Sequence, residues 1–342
     1  MKLEELIKLP KIEQHCHLDG SLSKAFVEKR TGRKVRDLEL HVPEGCASLN
    51  EYLDKFLLPC SCIEDAKGLE DAGYDFISHI KEENVVYTEV RFAPMNPIHE
   101  SLSLDRVLES LLTGLEKGKQ EFGVEYNVIV CAMRHHSEDT NLRMFRSARK
   151  FLGEGVCAGD LAGAEALFPM SRFRNLFAEV RKLGMPFTIH AGECGNVQNI
   201  EDAIAAGAGR IGHGIAMRGN RKVQRLCREK RIGIEMCPIS NLQTRAVEEP
   251  SGYPLREFLN AGLAVTINTD NRTVSNTTLS KELEFVQRVY GITDGEIIQV
   301  MKNAVDTLFA DDSVKDRLLK LYDRQRAGTV IHESAGALGQ ER

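Results

Sequence analysis

Residues 187–214 have the sequence FTIHAGECGNVQNIEDAIAAGAGRIGHG, in which a longer stretch separates two short apolar runs, 187–190 and 210–212. The same alternation recurs along the chain, where short β-branched or apolar runs are followed by segments with helical spacing and mixed charge. Strands that alternate with helices form parallel sheets. We therefore predict an α/β fold with eight strands: Lys11–His15, Val85–Phe92, Val124–Met133, Val156–Asp160, Phe187–His190, Arg210–Gly212, Gly233–Met236 and Ala264–Asn268.

The number of strands favours a (β/α)8 TIM barrel, although strand count alone does not separate it from a doubly wound open sheet. Residues 22–69 are too many for a plain loop after the first strand, so we predict a helical lid insertion over the barrel mouth. Residues 279–342 are predicted to add C-terminal helices, two or three of them over Leu279–Tyr322. We interpret residues 1–342 as one barrel domain. Helices of the barrel itself are predicted at Leu104–Phe122, Asn175–Leu183 and Val223–Arg231.

Composition narrows the class of protein. The chain is 42% hydrophobic and 28% charged, as ordinary globular proteins are, and its net charge of −5 argues against nucleic acid as a partner. No run approaches the roughly 20 apolar residues that would cross a membrane. The N-terminus lacks a secretory signal pattern, and the nine scattered cysteines suggest thiols in a reducing compartment. These features predict a cytoplasmic protein.

Histidines and an aspartate stand at the ends of the predicted strands. In a barrel, the C-terminal strand ends form a single active-site face. His15 and His17 are two residues apart on the first strand, so their side chains point the same way and can reach one metal ion. His190 and Asp270 end the fifth and eighth strands, and zinc accepts nitrogen and oxygen ligands. Alone, each has a structural alternative: polar strand ends for the histidines and a helix N-cap for Asp270.

Two further residues lie close to these strand ends. Glu193 follows His190 by three residues and could carry a proton beside a substrate, the alternative being an ordinary loop carboxylate. His213 is flanked by glycines that allow close approach of a ligand. It could be a metal ligand, an electrostatic partner for an attacking hydroxide or a structural histidine.

Seven motifs, in this order, make the chain resemble the adenosine deaminase family of metal-dependent hydrolases. The match runs from about Pro10 to Asn271, and the C-terminal helices are consistent with it. Any one motif could be accidental, but seven in the family's order are highly specific. They are PKIEQHCHLDG at 10–20, EVRFAP at 89–94, DLAG at 160–163, HAGE at 190–193, RIGHG at 210–214, CPISN at 237–241 and NTD at 268–270.

The resemblance implies roles for individual residues. One Zn²⁺ per subunit would be held by His15, His17, His190 and Asp270. Glu193 would protonate purine N1, while His213 and Asp270 would orient the attacking hydroxide. Ribose would contact His17 and Asp19, and the backbone N–H of Gly163 would donate to purine N3. An apolar lid would consist of Leu49, Tyr52, Leu53 and Phe56. Imidazole and carboxylate ligands also suit iron, cobalt and nickel.

The implied activity is hydrolytic deamination of adenosine and 2′-deoxyadenosine to inosine and 2′-deoxyinosine, with release of ammonia, in purine salvage. The expected partner is a small purine nucleoside. Alternatives are a related 6-aminopurine (methylthioadenosine, aminodeoxyfutalosine, adenine or an N6-substituted adenosine) and a barrel that binds a nucleoside without turnover. The chain departs from the family at Asn271 and Arg272, where aspartate and proline are usual. An asparagine amide could still donate to purine N7, so the departure bears on how the ring is recognised.

Overall fold

The computed structural model describes residues 1–43, 45–46, 49–95 and 102–326. Its strands form two four-stranded sheets, each in sequence order, and every neighbouring pair within a sheet is parallel. Apolar runs buried on both faces are typical of such sheets. The strands are β1 Lys11–His17, β2 Val85–Phe92, β3 Glu125–Met133, β4 Val156–Ala162, β5 Thr188–Ala191, β6 Arg210–His213, β7 Gly233–Met236 and β8 Ala264–Ile267.

Two seams close the sheets into a barrel. Cys16 in β1 pairs with Asp270, just beyond β8, and Gly159 in β4 pairs with Phe187, just before β5. The first seam is reinforced by Asn268, whose Oδ1 accepts the backbone N–H groups of residues 14 and 15 at 3.1 and 3.2 Å. The predicted (β/α)8 barrel is confirmed, and the open sheet is excluded.

All eight predicted strands are present. Two of them, Val85–Phe92 and Gly233–Met236, match at both ends, and the others differ by one or two residues. The first strand continues past His15 because His17 still pairs with Arg91 of β2. The strand ladder is formed by backbone groups, so a strand can continue through polar residues. A pattern of apolar side chains therefore places the end of such a strand too early.

The helices are assigned from Leu3 to Arg326. The predicted helix Leu104–Phe122 coincides with α7, which begins where Ser103 Oγ accepts the Arg106 N–H and ends at Gly123, with φ of 71°. The other two predicted helices correspond to α9 and α11 within two residues. The helices are α1 Leu3–Lys8, α2 Lys24–Thr31, α3 Asp37–Leu40, α4 Leu49–Leu53, α5 Leu57–Ser61, α6 Ala66–Lys81, α7 Leu104–Phe122, α8 Glu138–Ala148, α9 Arg174–Lys182, α10 Val197–Ala206, α11 Arg221–Glu229, α12 Pro238–Gln243, α13 Leu255–Asn260, α14 Leu279–Tyr290, α15 Asp294–Asp306 and α16 Asp312–Arg326.

The insertion after β1 is helical, as predicted, and contains α2–α5 and the start of α6. It is tied to the loop after β8, where the Val42 N–H donates to the Val274 carbonyl at 2.9 Å. Three helices, α14–α16, follow the barrel, and the rest of the predicted C-terminal region, residues 327–342, lies outside the described residues. The single-domain interpretation stays a prediction. In the described part of the chain, no helix has the length and apolar character needed to cross a bilayer.

Charged side chains fill the lower barrel. Arg91, Asp160, Arg210 and Glu235 are fully buried together with Glu89. Arg91 Nη1 lies 2.7 Å from an Asp160 oxygen, and Arg210 Nε lies 2.6 Å from a Glu235 oxygen. Arg91 also pairs with Glu235, and Arg210 pairs with Glu89. Pairing offsets the cost of burying each charge and fixes the carboxylates directly beneath the C-terminal strand ends.

Candidate active site

The four predicted metal ligands meet at the C-terminal end of the barrel. One ligand atom from each of His15, His17, His190 and Asp270 lies within 4.8 Å of the others. The Nε2 atoms of His17 and His190 are 3.1 Å apart, and Asp270 Oδ1 is 3.5 Å from the Nε2 atoms of both His15 and His17. Strand-end placement therefore brings together residues more than 250 positions apart.

This ligand set fits a single metal ion. His15 Nε2 is buried without a hydrogen-bond partner among the described residues, which is costly for a polar atom unless another group binds it. Nitrogen ligands lie about 2 Å from zinc, so two of them on one ion are separated by about 3 Å. The 3.1 Å separation of the His17 and His190 nitrogens matches that arrangement.

Carboxylates beneath the site orient two of the imidazoles. His15 Nδ1 lies 3.0 Å from Glu235 Oε2, and His190 Nδ1 lies 2.8 Å from Asp160 Oδ2. The Nδ1 atom of each ring therefore lies beside a carboxylate, which favours a proton on Nδ1 and leaves the opposite Nε2 lone pair for a metal. The buried arginines that pair with Glu235 and Asp160 hold these carboxylates in place.

Charge states at the site suit a cation. Burial lowers the pKa of His15 to about 4 and holds the pKa of His17 well below its usual value, so both rings are neutral at pH 7. Burial would raise the pKa of Asp270, but the neighbouring histidines, His15 first among them, hold it below the usual carboxyl range. Neutral rings at His15 and His17 with an ionised Asp270 are the forms that bind metal. At His190 burial would lower the pKa, but the charge of Asp160 raises it.

Asn241 connects the two predicted proton-handling residues. Its Nδ2 lies 3.0 Å from His213 Nδ1 and donates to Glu193 Oε1 at 3.2 Å, while its Oδ1 accepts the Tyr253 hydroxyl. In this orientation the amide nitrogen faces His213 Nδ1, so that ring nitrogen is the acceptor and the His213 proton lies on Nε2. That Nε2 is 3.7 Å from Glu193 Oε2, so both groups face the same space.

Backbone conformation brings two of these side chains over the strand ends. His213 and Asp270 have φ angles of 63° and 61°, in the left-handed region that residues with side chains rarely adopt. Such strain persists where the surrounding structure enforces it, and it concentrates at functional sites. Gly163, at the end of β4, has φ of 100°, which glycine adopts without cost.

The residues predicted to contact ribose also lie at this end of the barrel. Asp19 follows β1 in the turn that leads to Gly20, and burial raises its pKa to about 6. The residues of the predicted apolar lid differ in exposure. Tyr52 is buried and packs with Phe56, whereas Leu53 is 51% exposed. The side chain of Leu49 lies outside the described residues.

Asn271 and Arg272, where the family usually has aspartate and proline, both make specific contacts inside the protein. Asn271 is buried, and its Nδ2 donates to the Tyr52 hydroxyl at 3.0 Å. Arg272 is also buried and pairs with Glu83, whose carboxylate accepts the N–H groups of residues 279 and 280 at the start of α14. Arg272 thus joins the β8 loop to a C-terminal helix through Glu83.

Glu165 is the functional residue that sequence analysis missed most clearly. Its carboxylate accepts the backbone N–H groups of three successive residues, Gly192, Glu193 and Cys194, at 2.6, 3.0 and 3.2 Å. It thereby holds the loop that carries Glu193. Its position five residues after Asp160, just past the DLAG motif, was a usable signal. Ser240 and Asn241 end the CPISN motif, but the sequence does not indicate their partners.

Comparison with known proteins agrees with this geometry. Residues 10–325 match the family model described as adenosine deaminase. The chain is 41% identical over 333 residues to an adenosine deaminase from Enterococcus faecalis, covering 95% of this chain and 99% of that protein.

Solved structures share the fold at lower identity. An adenine deaminase from Arthrobacter aurescens has a TM-score of 0.83 at 22% identity, covering 93% of this chain and 99% of that one. An amidohydrolase from Burkholderia ambifaria, solved with bound zinc, has a TM-score of 0.85 at 20% identity, covering 95% of this chain and 93% of that one. From the family match, the near-complete alignment and the site geometry together, we conclude that this chain belongs to the adenosine deaminase family.

Proposed function

We propose that this protein catalyses the hydrolytic deamination of adenosine and 2′-deoxyadenosine to inosine and 2′-deoxyinosine, with release of ammonia. The observation that carries the proposal is the convergence of four ligand atoms within 4.8 Å, beside Glu193 and His213, at one end of the barrel. The 41% identity to a protein named adenosine deaminase, over 95% of this chain, supports the same activity.

The site residues suit one Zn²⁺ per subunit. His15, His17, His190 and Asp270 would hold the ion, leaving a position for water, as catalytic zinc sites do. Bound zinc lowers the pKa of its water from about 15.7 to about 7, which supplies a nucleophile at neutral pH. Glu235 and Asp160 would keep the His15 and His190 rings in the binding tautomer.

His213 and Asp270 would position the attacking oxygen. The proton on His213 Nε2, inferred from the Asn241 contact, makes this atom a donor toward that oxygen. Asp270 Oδ2 accepts from Ser240 Oγ at 2.6 Å, so the carboxylate is fixed and its other oxygen faces the histidine ligands. This arrangement pre-orients the nucleophile without requiring side chains to move during the reaction.

Glu193 would activate the ring by donating a proton to N1, which makes C6 electrophilic. The oxygen of water then bonds to C6, and the bond between C6 and the amino nitrogen breaks. Across the reaction, one hydrogen of the water ends on N1 and the other on the departing ammonia. Asn241 and Thr244 donate to Glu193 Oε1, so the other oxygen, Oε2, would be the one that delivers the proton to the ring.

The substrate contacts are part of the same proposal. We infer that ribose contacts His17 and Asp19, that Gly163 N–H donates to purine N3 and that Asn271 faces N7. The partner would be a neutral purine nucleoside, as the charge of −5 allows. The cytoplasmic location stays a prediction.

An assay over several aminopurines tests the function. Purified protein with measured zinc content is incubated with adenosine, 2′-deoxyadenosine, methylthioadenosine, aminodeoxyfutalosine, adenine and N6-methyladenosine. The released amine (ammonia, or methylamine from N6-methyladenosine) and the ultraviolet spectrum are followed. We expect the highest kcat/KM for adenosine and 2′-deoxyadenosine. A higher kcat/KM for another purine would make that purine the substrate. Metal-loaded protein that turns over none of these compounds would refute the proposed function.

A further inference from the structure

Tyr52 connects the insertion to the catalytic end of the barrel through its hydroxyl. The side chain is 2% exposed and packs against Val42, Cys46 and Val274. Its oxygen lies 3.0 Å from Asn271 Nδ2, 2.8 Å from Ser275 Oγ and 3.3 Å from Ser240 Oγ. A phenol whose purpose was apolar cover alone would not need three polar neighbours.

The order of hydrogens along this chain can be worked out. Ser240 donates its single hydrogen to the Asp270 carboxylate at 2.6 Å, so toward Tyr52 it can only accept. Ser240 is therefore an available acceptor for the Tyr52 proton, and the Ser275 hydroxyl, which can donate or accept, is a second one. The lone pairs of Tyr52 need a donor, and the Asn271 amide supplies it.

This contact leaves Asn271 with unused hydrogen-bonding capacity. Its amide carries two N–H bonds, and Tyr52 accepts one of them. The residue is 5% exposed, and its Oδ1 has no partner among the described residues. That oxygen lies against Gly20, where a Cβ would come within 2.1 Å of it. Packing holds the Asn271 side chain in place but does not distinguish its oxygen from its nitrogen. A hydrogen-bonding neighbour must therefore set which of the two faces the substrate pocket.

We propose that Tyr52 is a positioning residue that orients the Asn271 amide as a hydrogen-bond donor toward purine N7. The inference deepens the proposed function and rests on it. By accepting one N–H, the Tyr52 hydroxyl fixes the nitrogen end of the amide in place and leaves the second N–H for the ring. Recognition of N7 therefore depends on a hydroxyl that does not itself contact the substrate.

Binding of two reaction products tests the proposal without turnover. Inosine has an acceptor nitrogen at position 7, whereas 7-deazainosine has a C–H there and is otherwise alike. Dissociation constants are measured by titration calorimetry on the metal-loaded full chain. The wild type is expected to prefer inosine. Tyr52→Phe should reduce that preference by about threefold to tenfold, the value of one hydrogen bond, mainly by weakening inosine.

Tyr87→Phe is a matched control. Tyr87 is also buried and accepts from an asparagine amide, that of Asn127 at 2.8 Å, but it lies near the start of β2, far along the strand from the catalytic end. This variant should leave the preference for inosine unchanged. Thermal unfolding of both variants shows whether either hydroxyl matters only for folding.

A double-mutant cycle tests whether Tyr52 acts through Asn271. In an Asn271→Ala background, Tyr52→Phe should change the preference by less than about twofold, because the group it orients is gone. Equal weakening of both ligands by Tyr52→Phe, or no effect on either, would overturn the proposal. Failure of the wild type to release ammonia from adenosine would instead count against the proposed function, whatever the two ligands show.

Discussion

The two sides of the pocket are held by different kinds of contact. The floor, defined as His15, His17, His190 and Asp270, stands on strand ends or directly beyond one, and two of its histidines rest on buried carboxylates at 3.0 and 2.8 Å. The roof, defined as the insertion over residues 22–69, meets the β8 loop through Val42 and the Tyr52 hydroxyl. Backbone ladders and ion pairs fix the floor, whereas individual hydrogen bonds from the backbone and from a side chain fix this part of the roof.

The floor and the roof also differ in the solvent exposure of their side chains. His15 and His190 are buried, while Leu53 and Leu57 of the roof are 51% and 73% exposed. A buried polar site is rigid because every group needs its partner, but an exposed apolar segment can change its contacts cheaply. We therefore expect changes in the floor to abolish chemistry and changes in the roof to alter affinity and selectivity.

The largest effect is expected for His15→Ala. Removing this ligand should lower both the bound metal and kcat, the latter to below about a thousandth of the wild-type value. Metal content by atomic emission and the rate of ammonia release measure the two effects. His135→Ala, which removes an exposed histidine, is the control and should keep the metal. Full activity in His15→Ala would remove this residue from the floor.

Glu193→Gln should separate chemistry from metal binding. The amide keeps the shape of the side chain but cannot supply an acidic proton, so kcat should fall on the order of 10²- to 10⁴-fold. Metal content and the affinity for inosine should stay near wild type. If metal were lost together with activity, Glu193 would belong to the ligand set instead.

Glu165→Gln should have an intermediate effect. The variant replaces one oxygen that accepts backbone N–H groups by an NH₂ group, which weakens the hold on the loop carrying Glu193. We expect kcat/KM for adenosine to fall roughly tenfold, with metal content unchanged. Glu201→Gln, which disrupts a surface pair with Lys222, is the matched control and should behave as wild type. Unchanged kcat/KM in Glu165→Gln would show that the loop holds its position without this carboxylate.

The smallest effect is expected in the roof. Leu53→Ser removes an exposed apolar side chain, so the melting temperature should stay within about 2 °C of wild type. The KM for adenosine should rise about threefold, because less apolar surface remains to cover the substrate. A clear drop in melting temperature at unchanged KM would show that Leu53 stabilises the fold and does not cover the substrate. That result would contradict the expected difference between roof and floor.

Much of the floor was predictable because strands have recognisable sequence patterns. Strands buried on both faces require continuous apolar runs, and all eight were located to within two residues at each end. The two-residue period of a strand places His15 and His17 on one side. Given a barrel, the histidines and aspartate at the strand ends had to share one face.

The supporting contacts were not predictable, because they join residues that no local pattern relates. Glu165 and Glu193 are 28 positions apart, and Tyr52 and Asn271 are 219 positions apart. A carboxylate that caps a loop has the same sequence appearance as one exposed to solvent. Likewise, nothing around Tyr52 distinguishes a hydroxyl with three polar neighbours from apolar cover.

By itself, then, the sequence determined where the eight strands lie and which strand-end residues are candidate metal ligands, since period and motif are local properties of the chain. Only the tertiary structure decided where each proton lies: on His213 Nε2, because Asn241 donates to Nδ1, and on Ser240, because Asp270 accepts from it. Hydrogen bonds depend on the distance and angle between atoms that folding brings together, and those distances are not encoded in residue spacing.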